Sequence, residues 1–158
     1  MAFEKIIKNA YEESEKNCRK GDTKKEINAI QDYIKNAKKI FIPNKNGIKV
    51  KVLNKVLEEY GLPSAKILEI NTNSSDSSRI PALAKAYMAL DQSEADLIIA
   101  RGRLGIPGSG SLLIFIDNKG RILTAGTSPS HLIHKKTLEE AVYDEANEAL
   151  KKIGFKKV

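Results

Sequence analysis

The chain has 158 residues, 41% hydrophobic and 30% charged, with 27 Lys and Arg against 20 Asp and Glu, a net charge of +7. That length supports one domain with a substantial core, and no apolar run approaches the roughly 18 residues of a membrane span. A lone cysteine, Cys18, excludes an intrachain disulfide or a thiolate metal cluster, and Met1-Ala2-Phe3-Glu4-Lys5 lacks a signal-peptide core, so a cytoplasmic protein is expected. The positive balance favours an anionic partner: nucleotide, nucleic acid or acidic metabolite.

Phe3, Ile6, Ile7, Ala10, Tyr11 and Ser14 recur at helical spacing and predict an amphipathic helix near 2–19, stopped by Gly21. Thr23-Lys24-Lys25-Glu26 is a capping box opening a second helix with Ile27, Ile30, Ile34 and Ala37 inside. Residues 1–37 thus read as a helical segment preceding the rest of a single domain, 1–158. The plain role of the first helix is to cover the sheet. Its apolar surplus at Phe3, Ile6, Ile7 and Tyr11 predicts a symmetric homodimer.

Lys39-Ile40-Phe41-Ile42 reads as a strand, followed by a loop of turn formers, Pro43-Asn44-Lys45-Asn46-Gly47. Ile48, Val52, Leu53, Val56, Leu57 and Tyr60 make the next helical face, ended by Gly61 and Pro63. A strand over 66–71 leads into Asn71-Thr72-Asn73-Ser74-Ser75-Asp76-Ser77-Ser78-Arg79, then a helix with Pro81 in its first turn. A polar loop between a strand and a helix N-terminus suits an oxyanion, and Arg79 adds charge. Thr72, Asn73, Ser75, Ser77, Ser78 and Arg79 are therefore candidate phosphate ligands. The same residues are also common in ordinary capping loops.

Four of the ten glycines fall in Arg101-Gly102-Arg103-Leu104-Gly105-Ile106-Pro107-Gly108-Ser109-Gly110-Ser111, between the apolar runs 96–101 and 111–117. Both runs lack alternation and read as central strands buried on both faces. The loop between them lets backbone N–H groups approach an anion, which makes Gly102, Gly105, Gly108 and Ser109 candidate phosphate contacts. Arg101 and Arg103, at i and i+2, point the same way; with no carboxylate beside them, they repel unless an anion sits between. The plain alternative is a glycine-rich hairpin connection. Asp117-Asn118-Lys119-Gly120 is a tight turn into an antiparallel strand over 121–126. A third polar stretch holds Thr127, Ser128, Ser130, His131 and His134. Without an evident third ligand, the histidines suit a hydrogen bond to substrate or plain exposure better than a metal. Thr137-Leu138-Glu139-Glu140 caps the last helix. The sum is an α/β fold, a mixed central sheet flanked by helices.

Through 71–81, 101–111 and Gly126-Thr127-Ser128-Pro129-Ser130-His131, the chain resembles the HcgB family. These are guanylyltransferases of iron-guanylylpyridinol (FeGP) cofactor biosynthesis, which serves the [Fe]-hydrogenase of methane-producing archaea. The resemblance implies a fold like that of nucleoside triphosphate pyrophosphatases of the inosine triphosphatase and Maf type. It implies transfer of GMP from GTP to a pyridinol hydroxyl, with pyrophosphate released, in a homodimer. Thr72-x-x-Ser75 is similar to the Thr-x-Asn-x-x-Lys phosphate loop of those pyrophosphatases, but no lysine follows. Catalysis would then be positioning and charge neutralisation by Arg101 and Arg103, with Mg²⁺ on Asp76. Asp96 is the weaker metal candidate, at the wrong end of its strand. Thr127, Ser128, Ser130 and His131 would hold the acceptor. Two other functions compete: a nucleoside triphosphate pyrophosphatase, and an RNA-binding module, which the 6% aromatic content disfavours. The leading expectation involves neither nucleic acid nor membrane.

Overall fold

The computed structural model describes residues 3–129 and 135–158. Its elements are α1 (Glu4–Glu15), α2 (Lys24–Asn36), β1 (Ile40–Ile42), α3 (Gly47–Glu59), β2 (Lys66–Ile67), a 3₁₀ turn (Asn73–Ser77), α4 (Pro81–Asp91), β3 (Leu97–Arg103), β4 (Gly110–Asp117), β5 (Ile122–Pro129) and α5 (Leu138–Lys152). The helix starts follow the sequence signals. Thr23 and Thr137 each exchange both bonds of a capping box, with Glu26 and Glu140. Pro81 opens α4, where its missing N–H costs nothing.

The strands form one sheet in the order β2-β1-β3-β4-β5, with β2, β1 and β3 parallel and β4 and β5 antiparallel. As expected, β3 and β4 are central and buried on both faces. On one side Leu97, Ile99, Leu113 and Phe115 pack against Ile34 of α2, Leu53 and Val56 of α3, and Val142 and Leu150 of α5. On the other, Ile98, Ala100, Ile114 and Ile116 pack against Ala82, Ala86 and Ala89 of α4. The alanines let α4 lie close. A Cβ at Gly102 would stand 2.5 Å from the Ala82 backbone nitrogen, a contact no side chain can make. Gly102→Ala is expected to push α4 outward and cost about 1–3 kcal/mol, measured as a lower midpoint in urea. An unchanged midpoint would mean that the β3–α4 contact yields freely. Gly126 does the same for α5: a Cβ there would lie 1.9 Å from the Glu145 carbonyl oxygen.

Two expectations need correction. The second strand stops at Ile67 rather than 71, because the next β1 N–H on that side, that of Asn44, turns back onto the Ile42 carbonyl at 2.9 Å instead of extending the ladder. The first helix is 4–15 rather than 2–19, ending before Asn17, whose φ is +56°. Nor does it cover the sheet. Phe3 is buried, stacked at 5.3 Å on Tyr33 and 5.1 Å from the Arg121 guanidinium, and Ile6 packs on the core. Beyond that first turn the apolar face is open: Ile7 is 46% and Tyr11 65% exposed. Arg19 ties the helix to α2, bonding Glu13 at 2.9 Å and Glu26 at 2.7 and 2.8 Å. Its guanidinium and the Thr23 N–H hold the Glu26 carboxyl down at about 2.

A basic cleft at the carboxyl ends of the parallel strands

The strand order reverses across β1. The chain leaves β1 through α3 on one face to reach β2, then passes through α4 on the other face to reach β3. Such a switch point leaves a crevice beyond the strand carboxyl ends, where no connection crosses. A cavity of about 430 Å³ lies there. The loop after β1 supplies Pro43, Asn44 and Lys45, and α3 adds Lys49. From the segment after β2 come Ile70, Asn71, Thr72 and Asn73, and from α4 Lys85. Arg101, Gly102 and Arg103 of β3, with Gly110 and Ser111 of β4, complete the wall.

Five of these residues are cationic and none is acidic. Lys49 is half-buried. Burial, and then Arg101 and Lys85 nearby, push its ammonium below the ordinary lysine value, with Glu145 opposing. Lys85 Nζ donates to the Arg101 carbonyl at 3.2 Å. Cations crowded this way, and partly stripped of water, are poised to be relieved by an anion.

Arg101 departs from the expectation in one respect: it does have a carboxylate beside it. Its Nε and Nη2 grip the fully buried Glu145 of α5 at 2.7 and 3.1 Å. The Ser128 hydroxyl also donates to Glu145, so Ser128 is buried and engaged rather than presented to a ligand. Arg101 keeps other N–H donors for the cleft it lines.

Arg103 spans two loops. Nε donates to the Gly105 carbonyl at 2.9 Å, Nη2 to Ser78 at 2.9 Å and Nη1 to Asp76 at 3.3 Å. It clasps the 3₁₀ turn to the β3–β4 hairpin.

Not every expected ligand comes to the cleft. Thr72, Asn73, Gly102, Arg101 and Arg103 do. Gly105, Gly108 and Ser109 do not, because β3 and β4 stay paired as far as Arg103 and Ser111 and carry 104–109 outward as a hairpin tip. Ser75, Ser77 and Ser78 spend their hydroxyls inside their own loop, on Thr72 O, Ser74 O and the Ile80 N–H. Asp76 and Arg79 are exposed and outside the lining. Thr127 takes Glu148 on its N–H at 3.2 Å and also lies outside it. Ser130, His131 and His134 fall outside the described residues. Asp96 sits at the far end of β3, where one carboxylate oxygen caps the N–H groups of Lys38 and Lys39. Among the described residues, no three acidic, histidine or cysteine side chains gather to hold a metal.

Lys45, Lys49 and Lys85 were not singled out by the sequence. One signal was available: Asn46-Gly47-Ile48-Lys49 has the Asn-x-x-Lys spacing that was sought after Thr72, and it follows the first strand.

An α/β domain with five cations around a switch-point crevice has the charge and geometry that suit a nucleotide or polyphosphate. Comparison with family models is specific: residues 3–155 match the HcgB family, FeGP cofactor biosynthesis guanylyltransferases. The chain belongs to that family and is a guanylyltransferase, hence a nucleotidyltransferase acting on GTP and a small-molecule substrate. Among the described residues, no helix is long and apolar enough to cross a membrane.

Proposed function

We propose that the cleft binds GTP and that the chain transfers its GMP to the hydroxyl of a pyridinol precursor of the FeGP cofactor. The observation that carries this is the convergence of Lys45, Lys49, Lys85, Arg101 and Arg103 on one cavity without an acidic residue in its wall. The acceptor oxygen attacks the α-phosphorus, the bond to the bridging oxygen breaks, and pyrophosphate leaves with that electron pair. The hydroxyl proton goes to solvent. The protein's part is positioning and neutralisation of the triphosphate. Arg101, braced by Glu145, offers a fixed donor, and the lysines follow the charge. Mg²⁺ would be held chiefly by the triphosphate, since it keeps several waters and needs only one or two carboxylates. Asp76 is the acidic side chain of the adjoining turn. There the ion would neutralise phosphate charge. Thr127 and, next along the sequence, Ser130 and His131 stand as the acceptor side in this reading, without Ser128, whose hydroxyl is buried on Glu145.

The test is incubation with GTP, Mg²⁺ and the pyridinol, followed by chromatography. Guanylylpyridinol and pyrophosphate in equal amounts are expected. Pyrophosphate and GMP without acceptor would instead favour the pyrophosphatase reading, which the Asn46–Lys49 spacing and the proposed kinship with the inosine triphosphatase and Maf fold support.

We also propose a cytoplasmic homodimer joined through the open face of α1. Tyr11→Glu is expected to convert it to a 17.5 kDa species in sedimentation at micromolar concentration. A wild-type chain sedimenting only at that mass would end the proposal.

A further inference from the structure

We infer that Ser128 is a positioning residue for guanylyl transfer: it holds Glu145 on one edge of the Arg101 guanidinium and so keeps the other edge, Nη1 with Nη2, for a phosphate of the nucleotide. The inference rests on the cleft being the GTP site. A guanidinium can meet a carboxylate along either of two edges, the side edge of Nε and Nη2 or the end edge of Nη1 and Nη2. Glu145 takes the side edge: Nε donates to Oε1 at 2.7 Å and Nη2 to Oε2 at 3.1 Å. Among the described residues, every buried side-chain nitrogen or oxygen has a hydrogen-bond partner. Nη1 of Arg101 has no protein acceptor among them, so it is not buried. It is the open end of a side chain that is only 14% exposed and lines the cleft.

The carboxylate keeps to the side edge because it is held from a second strand. Oε2 also accepts the Ser128 hydroxyl, so three donors meet a carboxylate that has no exposure to water. Ser128 lies on β5, opposite Ser111 of the cleft wall in the β4–β5 ladder. Two residues earlier, Gly126 lets the Glu145 main chain come close, since a Cβ there would stand 1.9 Å from the Glu145 carbonyl oxygen. The strand thus fixes Glu145 at both ends, main chain at Gly126 and carboxylate at Ser128. Without the hydroxyl, Oε2 keeps only the longer of the two Arg101 bonds. A buried carboxylate that loses a donor gains by finding another. The unengaged donor on the group it already touches is Nη1, and pairing with it would consume the end edge. Ser128 therefore acts on the nucleotide through Arg101 and touches no substrate itself.

The experiment measures kcat/KM for GTP with the pyridinol acceptor, and the affinity of inorganic tripolyphosphate by calorimetry, each well below the melting temperature of the protein in hand. Ser128→Ala is expected to lower both by about 10-fold, the worth of one hydrogen bond to a charged group. The same substitution is then made in a chain carrying Arg101→Met and Glu145→Leu. There it is expected to change neither quantity by more than about 2-fold, because no guanidinium remains to be aimed. A serine that merely supports the fold would lower activity by the same factor in both backgrounds, and that result overturns the inference. So does a Ser128→Ala protein that turns over GTP and binds tripolyphosphate like the parent. Ser128→Cys, close in shape and a weak donor, is measured alongside and carries the same reading should the alanine variant not fold. If the Arg101→Met, Glu145→Leu chain matches the wild type in both quantities, Arg101 is no phosphate ligand and the inference falls on its own. If wild-type protein binds no tripolyphosphate, the assignment of the cleft to GTP fails first and takes this inference with it.

Discussion

Lys49→Met is expected to lower kcat/KM for GTP by roughly 10- to 150-fold, the equivalent of one charge-assisted hydrogen bond of about 1.5–3 kcal/mol. The melting temperature is expected to rise by about 2–4 °C, as for a gain of about 1 kcal/mol in a chain of this size. The opposed signs are the point of the experiment. Methionine keeps the apolar stem of the lysine and removes the ammonium. In the free protein that ammonium is half-buried beside Arg101 and Lys85, so losing it relieves repulsion. In the proposed complex it would face phosphate, so losing it would weaken binding. A lysine held only for packing would lower both quantities, and that outcome would remove Lys49 from the site. The pH dependence has a fixed sign. Burial and the neighbouring cations place the free-state pKa of Lys49 below the ordinary 10.5, and bound phosphate raises it again. GTP affinity is therefore full below the free-state pKa and falls as pH rises through it. Lys49→Arg, charged throughout, should flatten that decline.

Glu145→Ala is expected to cost about 3–5 kcal/mol, because it strands the Arg101 guanidinium, only 14% exposed, without its anion. Thermal melting should drop by about 10 °C or more. Arg101→Met together with Glu145→Leu removes both charges, and stability should return most of the way while turnover stays low. Equal instability in the single and double variants would mean that the carboxylate matters for packing alone, and Arg101 would lose its standing as a braced ligand.

Much of this architecture is written in local signals. Capping boxes at Thr23 and Thr137, Pro81, Gly61 and the unalternating apolar runs mark helix starts, a helix stop and the central strands without reference to the rest of the chain. The site was less legible for two physical reasons. Its lysines arrive singly from a loop, α3 and α4, and a solitary lysine in sequence is indistinguishable from a solvated one. The partner of Arg101 lies 44 residues away on α5, so the guanidinium pair read as unopposed. The glycine run misled differently: its glycines serve a hairpin tip and a close approach to α4, and only its two ends reach the cleft. For α1, the periodicity was real, but periodicity reports that a face is apolar and not what covers it.

The Arg103 clasp has a consequence for mutational tolerance. All three of its acceptors are main-chain carbonyls, of Asp76, Ser78 and Gly105. Main-chain carbonyls are present whatever side chain a residue carries, so the 73–78 turn can exchange side chains without losing its anchor, provided its backbone course survives. The burden falls on a single position. No other residue type carries five donors in one rigid planar fork; a lysine has one nitrogen and could satisfy only part of the set. In a saturation library scored for GTP turnover, position 103 should therefore accept almost nothing, and position 77 almost anything short of proline.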